Sequence, residues 1–431
     1  MNPDLQRTID AVWRVESARL IAGLTRMVRD VGLAEDLAQG ALVAALEQWP
    51  ESGIPDKPGA WLMATAKHHA IDQIRRNVRL ERKYEEIGRD IEIQQELGTP
   101  EHEADTDEDM GDDLLRLMFI ACHPVLSKDA RLALTLRLLG GLTTDEIARA
   151  FLVPEPTIAQ RIVRAKRTLA EAHVPFEVPA GSERAARLSS VLEVLYLIFN
   201  EGYSATAGDD WMRPTLCQEA LRLGRILAEL VPDEPEVHGL VALMEIQASR
   251  LWARLGPSGE PIPLLEQNRG RWDQLLIQRG FAALIRAEAL RGALGPYRLQ
   301  AAIAACHAQA RNPEDTDWER IAALYDALAQ LTPSPNVELN RAVAVGMAFG
   351  PEAGLEIVDG LTAEPTLKSY HLLPSVRGDL LAKLCRFSEA CEEFARAASL
   401  TRNVREREIL LERAAAMTKE SQNEKVKHKD G

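Results

Sequence analysis

Residues 141–169 read GLTTDEIARAFLVPEPTIAQRIVRAKRTL, two short helical patterns split by a proline, and few folds accept that arrangement. Thr143 can cap the first helix, with Glu146 three residues on completing a capping box. Ile147, Ala148 and Phe151 fall on one face before Pro154 ends the helix. Pro156 suits the first turn of a second helix, where its missing N–H is not needed. In that second helix Ile158, Ile162, Val163 and Leu169 are expected to point inward. Thr157, Gln160, Arg161, Arg164, Lys166 and Arg167 are the candidate DNA-binding residues, since a basic, hydrogen-bonding helix face fits a major groove. A plain helical hairpin with a solvated charged face has the same pattern, so the rest of the chain has to decide.

Two upstream stretches do. Residues 34–49 read AEDLAQGALVAALEQW, with Leu37, Ala41, Leu42, Ala45 and Leu46 inward and Glu35, Asp36 and Gln39 outward. A loop follows over Pro50–Pro58, and Gly32 is the expected break from the preceding helix. Residues 59–83, GAWLMATAKHHAIDQIRRNVRLERK, carry an apolar stripe through Leu62, Ala66 and Ala70 and end strongly basic. Its outward candidates for DNA are Lys67, His68, His69, Asp72, Arg75, Arg76 and Arg79, long cations to hold phosphates and polar groups to touch bases. Trp61 either stacks an unpaired base or packs in the core.

Taken in order, AEDLAQ, AWLMATAKHHAIDQIRR and the gapless GLTTDEIARAFLVPEPTIAQRIVRAKRTL resemble the extracytoplasmic-function (ECF) sigma factors of the sigma-70 family. Leu152 and Pro156 stand where that pattern has glycines, and Ala159 where it has a lysine. The resemblance implies two small helical domains, 1–84 for core RNA polymerase and the −10 element and 112–176 for the −35 element. It assigns Glu35, Asp36 and Gln39 to polymerase binding, and makes core RNA polymerase and promoter DNA the partners. Residues 85–111 are the acidic linker between them.

Charge fits that division. The chain carries −14 overall, yet residues 85–113 hold thirteen acids against Arg89, so most of the acidity lies in one segment. About 27 linker residues reach roughly 90 Å extended. Promoter elements about 17 base pairs apart lie about 58 Å apart at about 3.4 Å per pair.

Beyond residue 184 the pattern is helical throughout, giving an all-α chain. Residues 185–418 form a helical extension and 419–431 a disordered tail. In 375–400, Gly378, Ala390, Phe394 and Ala397 sit on the small and large positions of a tetratricopeptide repeat, echoed by Ala353 and Ile357 37 residues earlier. YLIFNEGYSA (196–205), LLEQNRGRW (264–272) and LNRAVAV (339–345) resemble the subgroup of these sigma factors with such an extension. Asn200–Tyr203 either line a pocket or simply end a helix. Glu266, Arg269 and Arg271 suggest an anion site or, more simply, an ion pair; His307 reads as packed or capping.

Five scattered cysteines without a CxxC pair point to a reducing cytoplasm and away from zinc. No run is long and apolar enough for a membrane. No nucleophile–base or metal-ligand spacing stands out, so the chain is expected to be no enzyme and to need no cofactor. The expected function is promoter-directed initiation, with the extension modulating it by meeting a protein partner or docking on the sigma domains. A polymerase-independent helix-turn-helix regulator with a repeat-based sensor is the alternative. It would have no use for the two upstream stretches.

Overall fold

The computed structural model describes residues 3–87, 107–204, 212–257, 260–401 and 403–427. Those residues form eighteen α-helices and no named strand; a single isolated bridge joins Leu255 and Pro261. The chain divides into two compact units, Met1–Val194 and Leu195–Gly431.

The first unit holds α1 (Pro3–Val28), α2 (Val31–Ser52), α3 (Pro58–Ile87), α4 (Asp107–Ala121), α5 (Lys128–Leu138), α6 (Thr144–Phe151), α7 (Glu155–Glu171) and the start of α8 (Gly181–Tyr203). Ile9, Leu20, Ile21 and Leu24 of α1 bury the helix, while Val15 is 63% exposed. The break before α2 falls at Arg29–Asp30, not at Gly32. Asp30 is the N-cap, its carboxylate accepting from Leu33 N at 2.8 Å, and Gly32 sits inside the first turn. At the far end α2 runs through Pro50 to Ser52, so the expected loop is shorter. Pro50 forgoes only its own N–H bond to the carbonyl of Leu46, and Gly53 N still closes the helix on Trp49 O at 3.0 Å. Of the acidic segment, residues 88–106 lie outside the described residues, and Asp107 already begins α4.

The amino half of α8 is part of this unit. Arg187 donates to Phe119 O at 3.0 Å, Ser190 Oγ donates to Cys122 O at 2.6 Å, and Arg131 donates to Ser190 Oγ at 2.6 Å. Glu193 pairs with Lys128 at 2.7 Å and Arg131 at 3.2 Å. The first compact unit therefore extends well past residue 176. A chain cut after residue 176 leaves the Phe119 and Cys122 carbonyls and the buried Arg131 without these partners. It should be less stable than 1–204 by about 3–6 kcal/mol, taking two hydrogen bonds to charged groups. Thermal melts of the two fragments check this; equal midpoints would make α8 a passive connector.

The second unit continues α8 and adds α9 (Pro214–Leu230), α10 (Pro235–Ala248), α11 (Gln274–Ala289), α12 (Pro296–Gln309), α13 (Trp318–Leu331), α14 (Pro335–Phe349), α15 (Pro351–Leu361), α16 (Leu372–Lys383), α17 (Phe387–Leu400) and α18 (Val404–Lys427). Many of these helices start on a proline, whose fixed φ suits the first turn and whose missing donor is spared there. The later hairpins close over Leu339, Leu355, Val358, Leu381, Phe394 and Leu410. A methyl on Gly378 would lie 2.8 Å from the Phe394 ring, so a small residue opposite a large one lets α16 and α17 meet. Helix α18 continues to Lys427, through most of the segment expected to be a tail.

Asn200–Tyr203 close α8. Glu201 pairs with Arg213, Arg213 N donates to Gly202 O at 2.7 Å, and Tyr203 stacks on Phe199. The Arg254 guanidinium lies 3.6 Å from the Tyr203 ring centroid. Among the described residues Arg269 makes no ion pair. It donates at 2.7 Å to both His307 O and Ala310 O, satisfying carbonyls at the end of α12. His307 is packed, edge-to-face with Trp318 at 5.2 Å, and burial lowers its pKa to about 4.

Candidate nucleic-acid interface

Helices α6 and α7 form the expected helix-turn-helix. The capping box is complete: Glu146 N donates to Thr143 Oγ1 at 3.1 Å, and Thr143 N donates to Glu146 Oε2 at 2.9 Å. Between the helices Leu152 adopts φ 50°, the left-handed conformation that glycine takes most cheaply. The turn is therefore kept although the glycine is gone, and the leucine, 54% exposed, gains little burial there. Leu152→Gly should raise stability by about 0.5–1 kcal/mol, the left-handed penalty less glycine's unfolded-state entropy. A lower melting temperature for that variant would show the leucine contact outweighing the strain.

Ile158, Ile162, Ala165 and Leu169 hold α7 on the unit. Val163 does not join them, contrary to expectation. It is 65% exposed, because a 100° step per residue carries it round toward Gln160 and Arg167. Gln160, Arg164 and Arg167 form the exposed stripe, and Thr157 is half-buried beside it. Arg167 also pairs with Glu171 at 2.6 Å on the same helix. Two candidates sit elsewhere. Arg161 is on the flank, 3.1 Å from Asp129. Lys166 points back into the unit, its Nζ 2.5 Å from Glu35 Oε2, so the expectation that it faces outward is corrected.

Glu35 is corrected with it. The carboxylate is 3% exposed, because Arg137 of α5 donates to Oε1 at 2.6 Å and Lys166 of α7 sits on Oε2. Gln39, half-buried, donates to the same Oε1 at 2.6 Å. Asp36 alone of the three is exposed. Sequence periodicity gives the face of a helix but cannot tell solvent from a second helix laid against it. The same packing joins Arg26 of α1 to Asp113 of α4 at 3.3 Å and Arg14 of α1 to Glu146 of α6 at 2.5 Å.

On α3, His68, His69, Asp72 and Arg75 are exposed and Lys67 is half-buried. Asp72 and Arg75 share a face one turn apart. The side chains of Arg76 and Arg79 lie outside the described residues. Trp61 is half-buried, edge-to-face with the buried Trp49 at 5.3 Å. Among the described residues no cluster of metal-binding side chains occurs, and no helix is long and apolar enough to cross a membrane.

Comparison with known proteins matches residues 14–80 to sigma-70 region 2 and residues 116–169 to sigma-70 region 4. The chain belongs to the ECF branch of the sigma-70 family. Residues 187–288 of this sigma factor match a family of unknown function, DUF6596, which lies in its carboxy-terminal extension. An uncharacterized protein of Rhizobium meliloti (strain 1021) is 43% identical over 389 residues, 90% of each chain. A probable ECF RNA polymerase sigma factor of Mycobacterium tuberculosis is 28% identical over 178 residues, 41% of this chain and 59% of that protein. No solved structure matches. Region 2 thus covers most of α1–α3, and region 4 covers the packed α4–α7 body. The buried Glu35 joins the two regions.

Proposed function

We propose that this sigma factor docks core RNA polymerase through the acidic face of α2, and reads the −10 element with α3 and the −35 element with α7. The exposed Gln160–Arg164–Arg167 stripe on α7, the second helix of the helix-turn-helix, carries the reading. Arginine forks there suit guanine edges or phosphates, and the amide suits adenine. The compact first unit is a resting arrangement in this scheme. Lys166 touches Glu35 at 2.5 Å, whereas the two promoter elements lie about 58 Å apart at about 3.4 Å per pair. The two regions must separate to engage both, and separation frees Glu35 for polymerase and Lys166 for DNA in one movement.

The carboxy-terminal unit, with its tetratricopeptide-like hairpins, modulates initiation through protein contacts. Cytoplasmic residence fits the five free cysteines, three of them buried. Nothing in the scheme requires catalysis or a cofactor. Promoter-specific run-off transcription with purified core polymerase tests it, comparing the full chain with 1–204. Absence of promoter-specific transcripts from both would defeat the reading, and equal output from both would remove the modulatory role. Asp36→Arg, at an exposed site, should weaken polymerase binding at least about tenfold, or 1.4 kcal/mol, with the circular dichroism spectrum unchanged. Unchanged affinity would move the docking face elsewhere.

A further inference from the structure

Two stretches of the sequence, 196–205 and 264–272, meet in the second unit just beyond the end of α10. Each brings an aromatic ring to a cluster of cations. The Arg250 guanidinium carbon lies 5.7 Å from the Tyr203 ring centroid and 5.7 Å from that of Trp272. Arg254, four residues on, lies 3.6 Å from the same Tyr203 centroid, and Arg269 lies 5.3 Å from Trp272. Three guanidinium groups thus share two rings.

They are not equally satisfied. Arg269 donates to the carbonyls at the end of α12 and to Thr316 Oγ1 at 3.2 Å, and the Glu314 and Asp315 carboxylates support its charge. Arg254 is 6% exposed and donates to Tyr203 O. Arg250 has neither a hydrogen bond nor an ion pair among the described residues. Its Nε is sealed from water without an acceptor, while the half-buried side chain keeps its two outer nitrogens open to solvent.

Nothing around Arg250 offsets its charge. An aromatic face attracts a guanidinium but does not neutralise it. Burial lowers the pKa of Arg254, Arg269 and His307, and the Arg250 charge lowers each of them further. Gln247 Oε1 and Gln267 Oε1, the unpaired buried acceptors in this part of the chain, are neutral amide oxygens. An anion is the missing partner.

We infer that Arg250 and Arg254 form a binding site for a phosphate group, free or carried by a small ester. Packed against one ring, the two guanidiniums can donate to a tetrahedral oxyanion in two planes, which a planar carboxylate does not offer. Two positive charges also match a phosphate dianion better than a carboxylate. A duplex backbone is excluded from so recessed a pair, with Arg254 buried and Arg250 half-buried between the rings. Tyr203, Arg250, Arg254 and Trp272 all fall inside the segment matched to the family of unknown function, so this assigns that segment a ligand. It does not depend on how α3 and α7 read a promoter.

The test is isothermal titration calorimetry of the full chain with inorganic phosphate, glycerol 3-phosphate and acetate, at ionic strength matched with sodium chloride. A phosphate species should bind with a Kd below about 1 mM and raise the melting temperature, and acetate should do neither. Tighter binding of glycerol 3-phosphate would identify an ester as the ligand, and tighter binding of inorganic phosphate the free ion. Arg250→Gln should weaken binding at least about tenfold, whereas Arg279→Gln, at an exposed arginine of α11, should keep the wild-type affinity. Without phosphate, Arg250→Gln should melt no lower than the wild type, because Arg250 makes no hydrogen bond and its charge opposes its neighbours. A markedly lower melting temperature would make Arg250 a structural post between two rings and overturn the proposal. So would binding of neither phosphate species, equal affinity in Arg250→Gln, acetate binding as tightly as phosphate, or displacement of phosphate by duplex DNA.

Discussion

Replacing Arg164 and Arg167 of the recognition helix by alanine is expected to lower occupancy of the −35 element at least about thirtyfold. Each arginine contact to a base edge contributes about 1–3 kcal/mol, so two of them reach 2 kcal/mol at the low end. Both side chains are exposed and neither supports the core, so folding should survive. The Arg167–Glu171 pair is on the surface and contributes little to stability. Arg161→Ala should cost less, because its guanidinium is already turned toward Asp129. Footprinting of the polymerase holoenzyme on a promoter measures the difference. If Arg161→Ala proves the more damaging change, the stripe proposed for α7 is centred on the wrong side of the helix.

The second large effect is expected at Glu35. Its removal leaves Arg137 and Lys166 facing one another, with side chains 21% and 18% exposed and no carboxylate between them. Breaking a buried ion pair from one side costs about 3–5 kcal/mol. The lower end applies here, since both cations keep some access to water and Arg137 retains Leu142 O at 3.1 Å. Glu35→Ala should therefore lower the unfolding free energy of the first unit, measured in denaturant, by about 3 kcal/mol and expand the chain in small-angle scattering. Replacing all three residues together, Glu35→Leu with Arg137→Met and Lys166→Met, should recover most of the loss, because no uncompensated charge remains. Full stability in the single variant would mean that other contacts, such as Arg14 with Glu146, hold the two regions together without Glu35.

The helix-turn-helix was almost completely legible in the residues. Thr143, Glu146, Pro154 and Pro156 act through neighbours three or four positions away, and those distances are fixed by the helix itself. Position 152 shows the limit of pattern matching. A leucine where the family pattern has glycine could have meant a different turn, and the φ of 50° shows the same turn held at a cost. Val163 was misplaced for a simpler reason. It is a large apolar residue of α7 outside the buried arc, and hydrophobicity alone does not distinguish the two sides of a helix edge.

The sequence by itself determined the all-α class, the order of region 2, acidic segment, region 4 and helical extension, and the basic faces of α3 and α7. These depend on local periodicity, capping and composition, which act within a turn or two. Tertiary structure alone decided which polar side chains stay free. Glu35 and Lys166 lie 131 positions apart, and each looks solvent-facing on its own helix until α2 and α7 meet. Arg269 reads as an ion-pair or anion-site candidate from the sequence, and the end of α12 instead offers it carbonyls. Arg225 is likewise occupied by Glu245, while Arg250 has no such partner among the described residues. A charge placed on a helix face follows from the chain's local order; whether that charge is already neutralised depends on what the fold brings against it.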